Sequence, residues 1–512
     1  MADVTTTRRA VRAASPPRPP LAVGGLLGVA AVLVALLLAV AGRYGYHRDE
    51  LYFLAASRHL AWGYVDQPPL TPALAGLARL LFGDWLPGLR LLPAIAAGTL
   101  VVVTGLLARE LGGGRAAQLL AAACVAGSGV TLATGHLHST TTYDVLAWAV
   151  GLLLVVRLLG TGDRRLWLPV GLVAGVGLLN KASVVQLAGA VLLGMLADRQ
   201  ARRLLASRWL PAGAAVALLL WAPYLAWQAG HGWPQLEVFA DLRAEDGGLG
   251  AGLAFPPFQL LMTNPLLTPL WVAGLLALLR AGWARPWRPL AVAYLVVVGF
   301  YTVVGGKPYY AFGFYPLLFA GGAVWLARRR ERRGAGGLPL RRLLPAVAAA
   351  AALTVPLLLP VLPPSTLDVV TAVYEDAGET FAWPTYAAQV LAVRDGLPPD
   401  ERAAAVAVTG NYGEAGALAR YGGAWGRDAV FSGHNSAWWW GPPRGDGRVV
   451  IVVGGAQGGE LLRQRFRSVT LAARLDNGQG VDNEEQGQRI WVCRDLVGTW
   501  ADTWRGWRHY SG

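Results

Sequence analysis

Apolar and polar positions alternate in long blocks along the first two thirds of the chain. Apolar runs cover 21–41, 88–108, 116–135, 141–160, 166–181, 183–198, 209–228, 258–279, 288–305, 309–327 and 343–361. Most approach the roughly 20 residues that an α-helix needs to cross the hydrocarbon core of a bilayer, so about eleven membrane helices are predicted. Two stretches between the first two runs, Glu50–Leu60 and Leu70–Phe82, carry apolar residues on one helical face. Such helices lie flat in the membrane interface. Beyond residue 362 the pattern changes to short β-rich runs among helix-like stretches and Gly/Pro/Asn/Asp turns. Strands are predicted at Ala405–Thr409, Val449–Val453 and Arg489–Cys493. The predicted architecture is mainly α: residues 1–20 form a tail, 21–361 a polytopic transmembrane helical bundle, and 362–512 an α/β domain.

Composition agrees. Hydrophobic residues make up 54% of the 512 and charged residues only 15%, with mean hydropathy +0.41; soluble domains carry about 25% charge. The net charge of +14 does not point to nucleic acid, because its arginines sit between apolar runs rather than on a folded basic module. Placing the tail with Arg8, Arg9, Arg12 and Arg18 in the cytoplasm puts Arg109/Arg115, Arg164/Arg165, the 199–208 cluster, Arg285/Arg288 and the 328–342 cluster on the same side. One assumption thus orients every helix by the positive-inside rule and puts the 362–512 domain outside the cell membrane. Cys124 and Cys493 are too isolated to predict a disulfide framework.

The remaining connections hold the unusual polar residues. Tyr44-Gly45-Tyr46-His47-Arg48-Asp49-Glu50 follows the first span. Ionisable groups at a membrane helix end are functional candidates, although Asp49 as N-cap with Glu50 in the first turn explains the pair equally well. Asp66-Gln67-Pro68-Pro69 marks a bend that starts a new helix. There are only two lysines, Lys181 and Lys307, against 43 arginines, and both fall at helix ends on the predicted outer side. A compact ammonium suits a phosphate; snorkelling to the interface is the plainer reading. Arg43 and Arg48 lie on the same side. His136 and His138, in His136-Leu137-His138-Ser139-Thr140-Thr141-Thr142-Tyr143-Asp144, suit sugar hydroxyls or helix capping. With Asp144 they lack a fourth ligand, so a divalent metal is allowed but not expected, and no cofactor is required.

Taken in order, the Asp49-Glu50 pair after the first span, the Pro68-Pro69 bend, the Gly-rich helix Gly171 to Lys181, and Lys307-Pro308-Tyr309-Tyr310 through Tyr315-Pro316 resemble the GT-C glycosyltransferases. The resemblance covers about residues 20–330 and is to the bacterial dolichyl-phosphate-mannose protein mannosyltransferase-like group, glycosyltransferase family 39. The family pattern departs at Gln67, where a basic or polar residue precedes the prolines. The segments Gly410-Asn411-Tyr412-Gly413-Glu414-Ala415 and Ser432-Gly433-His434-Asn435-Ser436 are similar to the extracytoplasmic tail of some bacterial members.

The resemblance implies an inverting transferase that moves a sugar, mannose-like, from a polyprenyl-phosphate carrier in the membrane lipid to an extracytoplasmic acceptor hydroxyl. Asp49 would be general base and Glu50 would orient Arg48 or an acceptor group. Lys307, Lys181, Arg43 and Arg48 would hold the carrier phosphate. Asp66, His136, His138, Tyr309 and Tyr310 would contact substrate. A polytopic transporter or flippase is the alternative; it would want charges near the bilayer midplane, whereas these sit at helix ends.

Overall fold

The computed structural model describes residues 18–246, 248–334, 340–372, 374–454 and 458–510; Arg8, Arg9 and Arg12 of the tail lie outside them. Helix α1 (Val23–Val40) buries Leu26, Ala30, Leu33 and Leu37, the spacing of one helical face. Its other faces, with Leu27 and Val32, are exposed and suited to lipid. Helix α2 (Arg48–Ala56) and α3 (Leu70–Phe82) follow. Leu77, Leu80, Leu81 and Phe82 are exposed along α3, as expected of an interfacial helix. Helix α4 (Leu86–Glu110) packs against α1. That packing needs glycine, because a Cβ at Gly105 would lie 2.4 Å from a Leu26 methyl.

Six described helices are long and apolar enough to cross a membrane, or seven if a bent pair counts as one span. The bent pair is Arg115–Ala126 with Gly129–His136, at 59°, so the run at 116–135 is a broken helix rather than a straight one. Ser128 sits at the break and caps the second piece by accepting from Thr131 N. The run at 258–279 divides more fully, into Leu249–Met262 and Thr268–Arg280. Asn264 has φ +88° and precedes Pro265, which disfavours helical geometry in the residue before it. The two short runs expected at 166–181 and 183–198 are the helices Trp167–Leu178 and Ser183–Ala197, which meet at Asn180–Lys181.

The connections sort by end. Arg18 and Arg157 both pair with Glu110 at 2.8 Å, Arg109 Nε donates to Pro19 O, and Arg164 Nη2 to Arg203 O. The arginine-rich connections therefore gather at one end of the bundle. The opposite end collects the segments around Asp49, His138, Lys181 and Lys307.

A five-stranded sheet caps that second end: β1 (Val406–Thr409), β2 (Val430–Ser432), β3 (Val449–Val453), β4 (Phe466–Arg474) and β5 (Arg489–Leu496), in the order β2-β1-β3-β5-β4. The β1–β2 and β1–β3 pairs are parallel; β3–β5 and β4–β5 are antiparallel. Every residue of β3 is buried, as a central strand covered on both faces requires. Val449, Ile451 and Val453 share a cluster with Leu51, Tyr52 and Phe53 of α2, whereas Val450 and Val452 pack with Trp500, Trp504 and Trp507. The helix Tyr412–Tyr421 lies directly on α2: a Cβ at Gly413 would stand 2.7 Å from Arg48 Cβ, and one at Gly416 2.7 Å from Leu51 Cβ.

Candidate active site

The site is built around the first turn of α2. Chain reversal after α1 uses Tyr44 at φ +63° and Gly45 at φ +148°. His47, not Asp49, then caps the helix. Its Nδ1 accepts from Asp49 N at 3.1 Å, and Glu50 Oε2 accepts from His47 N at 2.9 Å, a reciprocal capping box. The capping role assigned to Asp49 from sequence is therefore filled by its neighbour, which leaves the aspartate side chain available.

Glu50 points the other way and is 0% exposed. Arg90 donates to it through Nε at 3.0 Å and Nη2 at 2.7 Å, and His138 N adds a third bond at 3.0 Å. Arg90 also donates to Ala41 O at 2.8 Å and Gly45 O at 2.7 Å, and its Nη1 stands 3.1 Å from His136 Nε2. This guanidinium ties the end of α1 to α2 and to the helix ending at His136. Burial alone would raise the Glu50 carboxyl, but Arg90 and the backbone donors hold it below its ordinary range. Glu50 thus orients Arg90 rather than Arg48 or an acceptor. His138 has both ring nitrogens engaged, at Thr71 O (3.1 Å) and Tyr143 OH (3.0 Å), and is 0% exposed. His136 and His138 are buried in this centre, away from an open face for sugar hydroxyls, although His136 Nδ1 has no hydrogen-bond partner among the described residues.

Asp49 is half-buried and receives one side-chain bond, from the Tyr412 hydroxyl at 2.8 Å. Burial acts to raise its carboxyl, but His47, Arg48, the Tyr412 hydroxyl and Lys307 outweigh it and keep Asp49 ionised. Lys181 Nζ lies 5.3 Å from the centres of both the Tyr309 and Tyr310 rings and 3.4 Å from Thr141 Oγ1. Asp144 attracts its charge, Lys307 repels it and Asp49 attracts it, so the two lysines, the two tyrosines and Asp49 lie in one region at this end of the bundle. Asp66 joins through a stack of rings. Tyr52 donates to Asp66 Oδ1 at 2.7 Å, and the Tyr52 and Tyr412 rings stack at 4.4 Å. Burial pushes the Asp66 carboxyl up to about 6, with the Asp49 charge adding to the rise. Gln67 is buried with neither amide atom bonded.

Two candidates stand apart. Arg43 is exposed and donates to Val361 O at 3.1 Å. Arg48 turns away to Glu484 and Glu379. The residues that sequence reasoning passed over are Arg90, Tyr52 and Tyr412. Arg90 carried a signal, since a lone arginine inside the apolar run 88–108 must have a buried partner. Tyr412 lies in the Gly410–Ala415 segment, but nothing in the sequence links it to Asp49, 363 residues away.

The fold has solved counterparts. The structure of ArnT from Cupriavidus metallidurans bound to undecaprenyl phosphate superposes with a TM-score of 0.64 at 15% identity, over 92% of this chain and 98% of that one. The chain has the GT-C glycosyltransferase fold. The apo structure of the same ArnT gives the same GT-C match, with a TM-score of 0.64 at 15% identity and the same coverage. The oligosaccharyltransferase AglB from Archaeoglobus fulgidus, in complex with an inhibitory peptide and a dolichol-phosphate, shows a weaker likeness. Its TM-score is 0.48 at 14% identity, over 80% of this chain and 64% of that one. In sequence, residues 66–227 match the family described as dolichyl-phosphate-mannose-protein mannosyltransferase, a segment that includes Asp66 and Lys181 but neither Asp49 nor Lys307. No curated protein sequence matches the chain. Within this multi-pass GT-C frame the acidic turn of α2 and the two lysines sit where the helical bundle meets the sheet.

Proposed function

We propose that the protein is an integral-membrane inverting glycosyltransferase that moves a sugar, a hexose such as mannose, from a polyprenyl-phosphate carrier to an acceptor hydroxyl outside the cytoplasm. The observation that carries this reading is the convergence of an ionised, half-exposed Asp49 with Lys181 and Lys307, the only two lysines of the chain. Asp49 takes the proton of the acceptor hydroxyl while that oxygen attacks the anomeric carbon. The hydroxyl becomes acidic only as the new bond forms, so a carboxylate that stays ionised suffices. The bond from the anomeric carbon to the carrier phosphate breaks, and the departing phosphate needs charge stabilisation rather than a proton. Lys181 and Lys307 supply it. One displacement at one face inverts the centre, so a β-linked donor yields an α-linked product. Asp66, linked to the Asp49 side through Tyr52 and Tyr412, is the candidate for sugar hydroxyls.

The positive-inside pattern supports an outer location for the sheet and hence for the acceptor. A reporter fused after Leu362 should be active only outside the cytoplasm. The direct test is purified protein with a panel of polyprenyl-phosphate sugars, scored for transfer to water or added acceptors. Turnover of one donor is expected. Carrier binding with translocation but no cleavage of the sugar–phosphate bond would instead support a flippase.

A further inference from the structure

Beside Arg48, which points toward Glu379 and Glu484, three carboxylates lie close together. Glu379 comes from the turn Glu375–Thr380, and Glu484 and Glu485 come from the loop before β5. One oxygen from each lies within 4.8 Å of the others. Glu379 and Glu485 are 8% and 6% exposed. Glu379 Oε1 accepts from Glu484 N at 3.3 Å and Glu485 Oε1 from Asn411 Nδ2 at 3.2 Å. Their second oxygens, Glu379 Oε2 and Glu485 Oε2, are buried without any hydrogen bond. Arg48 bonds Glu484, but its Nη1 stands 3.9 Å from Glu379 Oε2, beyond hydrogen-bond reach. Buried carboxylate oxygens are ordinarily paired or bound to metal, and a single guanidinium cannot balance three acids.

We infer that Glu379, Glu484 and Glu485 form a binding site for a divalent cation, of the size and hardness of Ca²⁺. An all-oxygen set carried on a loop and a turn suits Ca²⁺, which takes about six to eight oxygens in flexible geometry, better than Mg²⁺, which demands a near-ideal octahedron. The three groups supply oxygen alone, with no imidazole or thiolate to favour Zn²⁺ or Cu²⁺. Two buried ligands approached from the exposed Glu484 side leave the remaining positions to water. Burial and mutual repulsion push Glu379 up to about 8 and Glu485 up to about 7, so a divalent ion that binds there displaces protons and takes over the charge that Arg48 alone leaves unbalanced. Bound there, the cation ties the loop carrying Glu484 and Glu485 to the turn carrying Glu379, one residue removed from Asp49 through Arg48. The site stands independently of the transfer chemistry.

The test uses the full-length protein in detergent, stripped with EDTA, dialysed, and titrated with CaCl₂, MgCl₂ or ZnCl₂ by calorimetry and thermal unfolding. One saturable Ca²⁺ site is expected, with an affinity on the order of 10⁻⁴–10⁻³ M, typical of extracellular Ca²⁺ modules. Tm should rise with ion concentration by mass action, more with Ca²⁺ than with Mg²⁺. The Glu379→Gln/Glu485→Gln variant, nearly isosteric and relieved of repulsion, should elute as a single species with an ion-free Tm no lower than wild type. It should lose the Ca²⁺ shift altogether. Wild type without a saturable Ca²⁺ response overturns the site, as does a double variant that keeps the full response. If the double variant does not fold, Glu485→Gln decides, since it should weaken Ca²⁺ binding at least about 10-fold.

Discussion

Asp49 and Glu50 are adjacent in sequence, carry the same charge and start the same helix, yet they belong to opposite kinds of place. Glu50 faces a closed centre in which Arg90, His47 N and His138 N take up its oxygens and Arg90 spends its own donors on Glu50, Ala41, Gly45 and His136. Asp49 is half-buried and faces a more open centre, in which the Tyr412 hydroxyl donates to one oxygen and Lys307 is near enough to stabilise its charge. Closed centres of this kind fix geometry, because breaking a buried pair costs more than the pair contributes. Open ones keep a charge available. The difference between architecture and chemistry here is how many lone pairs the protein itself has filled.

The largest effect that would break this contrast is on the closed side. Arg90→Leu should destabilise the protein by about 3–5 kcal/mol, since it leaves Glu50 buried and unpaired. The Glu50→Leu/Arg90→Leu double variant should recover much of that loss in thermal unfolding. If the single variant unfolds like wild type, the centre is not closed. On the open side, Tyr412→Phe removes the donor to Asp49 and should lower kcat about 10-fold, the scale of a hydrogen bond to a charged group, without weakening carrier binding. An unchanged kcat would reduce Tyr412 to a packing residue.

Asp66 sharpens the contrast through pH. Its carboxyl is raised to about 6, so it is protonated at pH 5 and ionised at pH 7.5. Asp49, held low, stays ionised across that range. Transfer that uses the Asp66 carboxylate should therefore fall as pH drops through about 6, and Asp66→Asn should flatten that limb. A limb that survives the substitution belongs to another group. The smallest effect is expected at Trp439, which is 37% exposed and meets His231 edge-on at 5.0 Å. Trp439→Ala should cost about 0.5–1.5 kcal/mol of stability and leave the kinetics of the folded protein alone. A raised acceptor KM would instead make this indole part of the acceptor site.

Much of the helical part was legible because a membrane span is a long, simple signal. The breaks at 116–135 and 258–279 are exceptions, the second turning on Asn264 before Pro265, a local backbone effect that hydropathy does not register. β1, β3 and β5 were read from their apolar runs. β2 has three residues, and β4 lies at an edge with most of its side chains exposed, so neither presents a continuous apolar stretch. At the site, Asp49, Lys181, Lys307, Tyr309 and Tyr310 could be picked out because charge and aromatic residues are conspicuous at apolar helix ends. Their partners could not. Which of Asp49 and Glu50 is sealed depends on Arg90, and which oxygen of Asp49 is held depends on Tyr412, contacts between residues far apart in the chain. Nor does the sequence show that Ser436–Trp439 is a short helix that sends Trp438 to Trp504, leaves Trp439 exposed and brings Trp440 onto His59.

The central claim is that Asp49 is the base of a sugar transfer from a polyprenyl phosphate. The most direct measurement is the single-turnover transfer rate of Asp49→Asn beside wild type, with carrier-phosphate affinity measured on the same preparation. The account predicts a rate lower by about 10²- to 10⁴-fold with carrier affinity within a few-fold of wild type. A rate within a few-fold of wild type would contradict it and pass the role to Asp66.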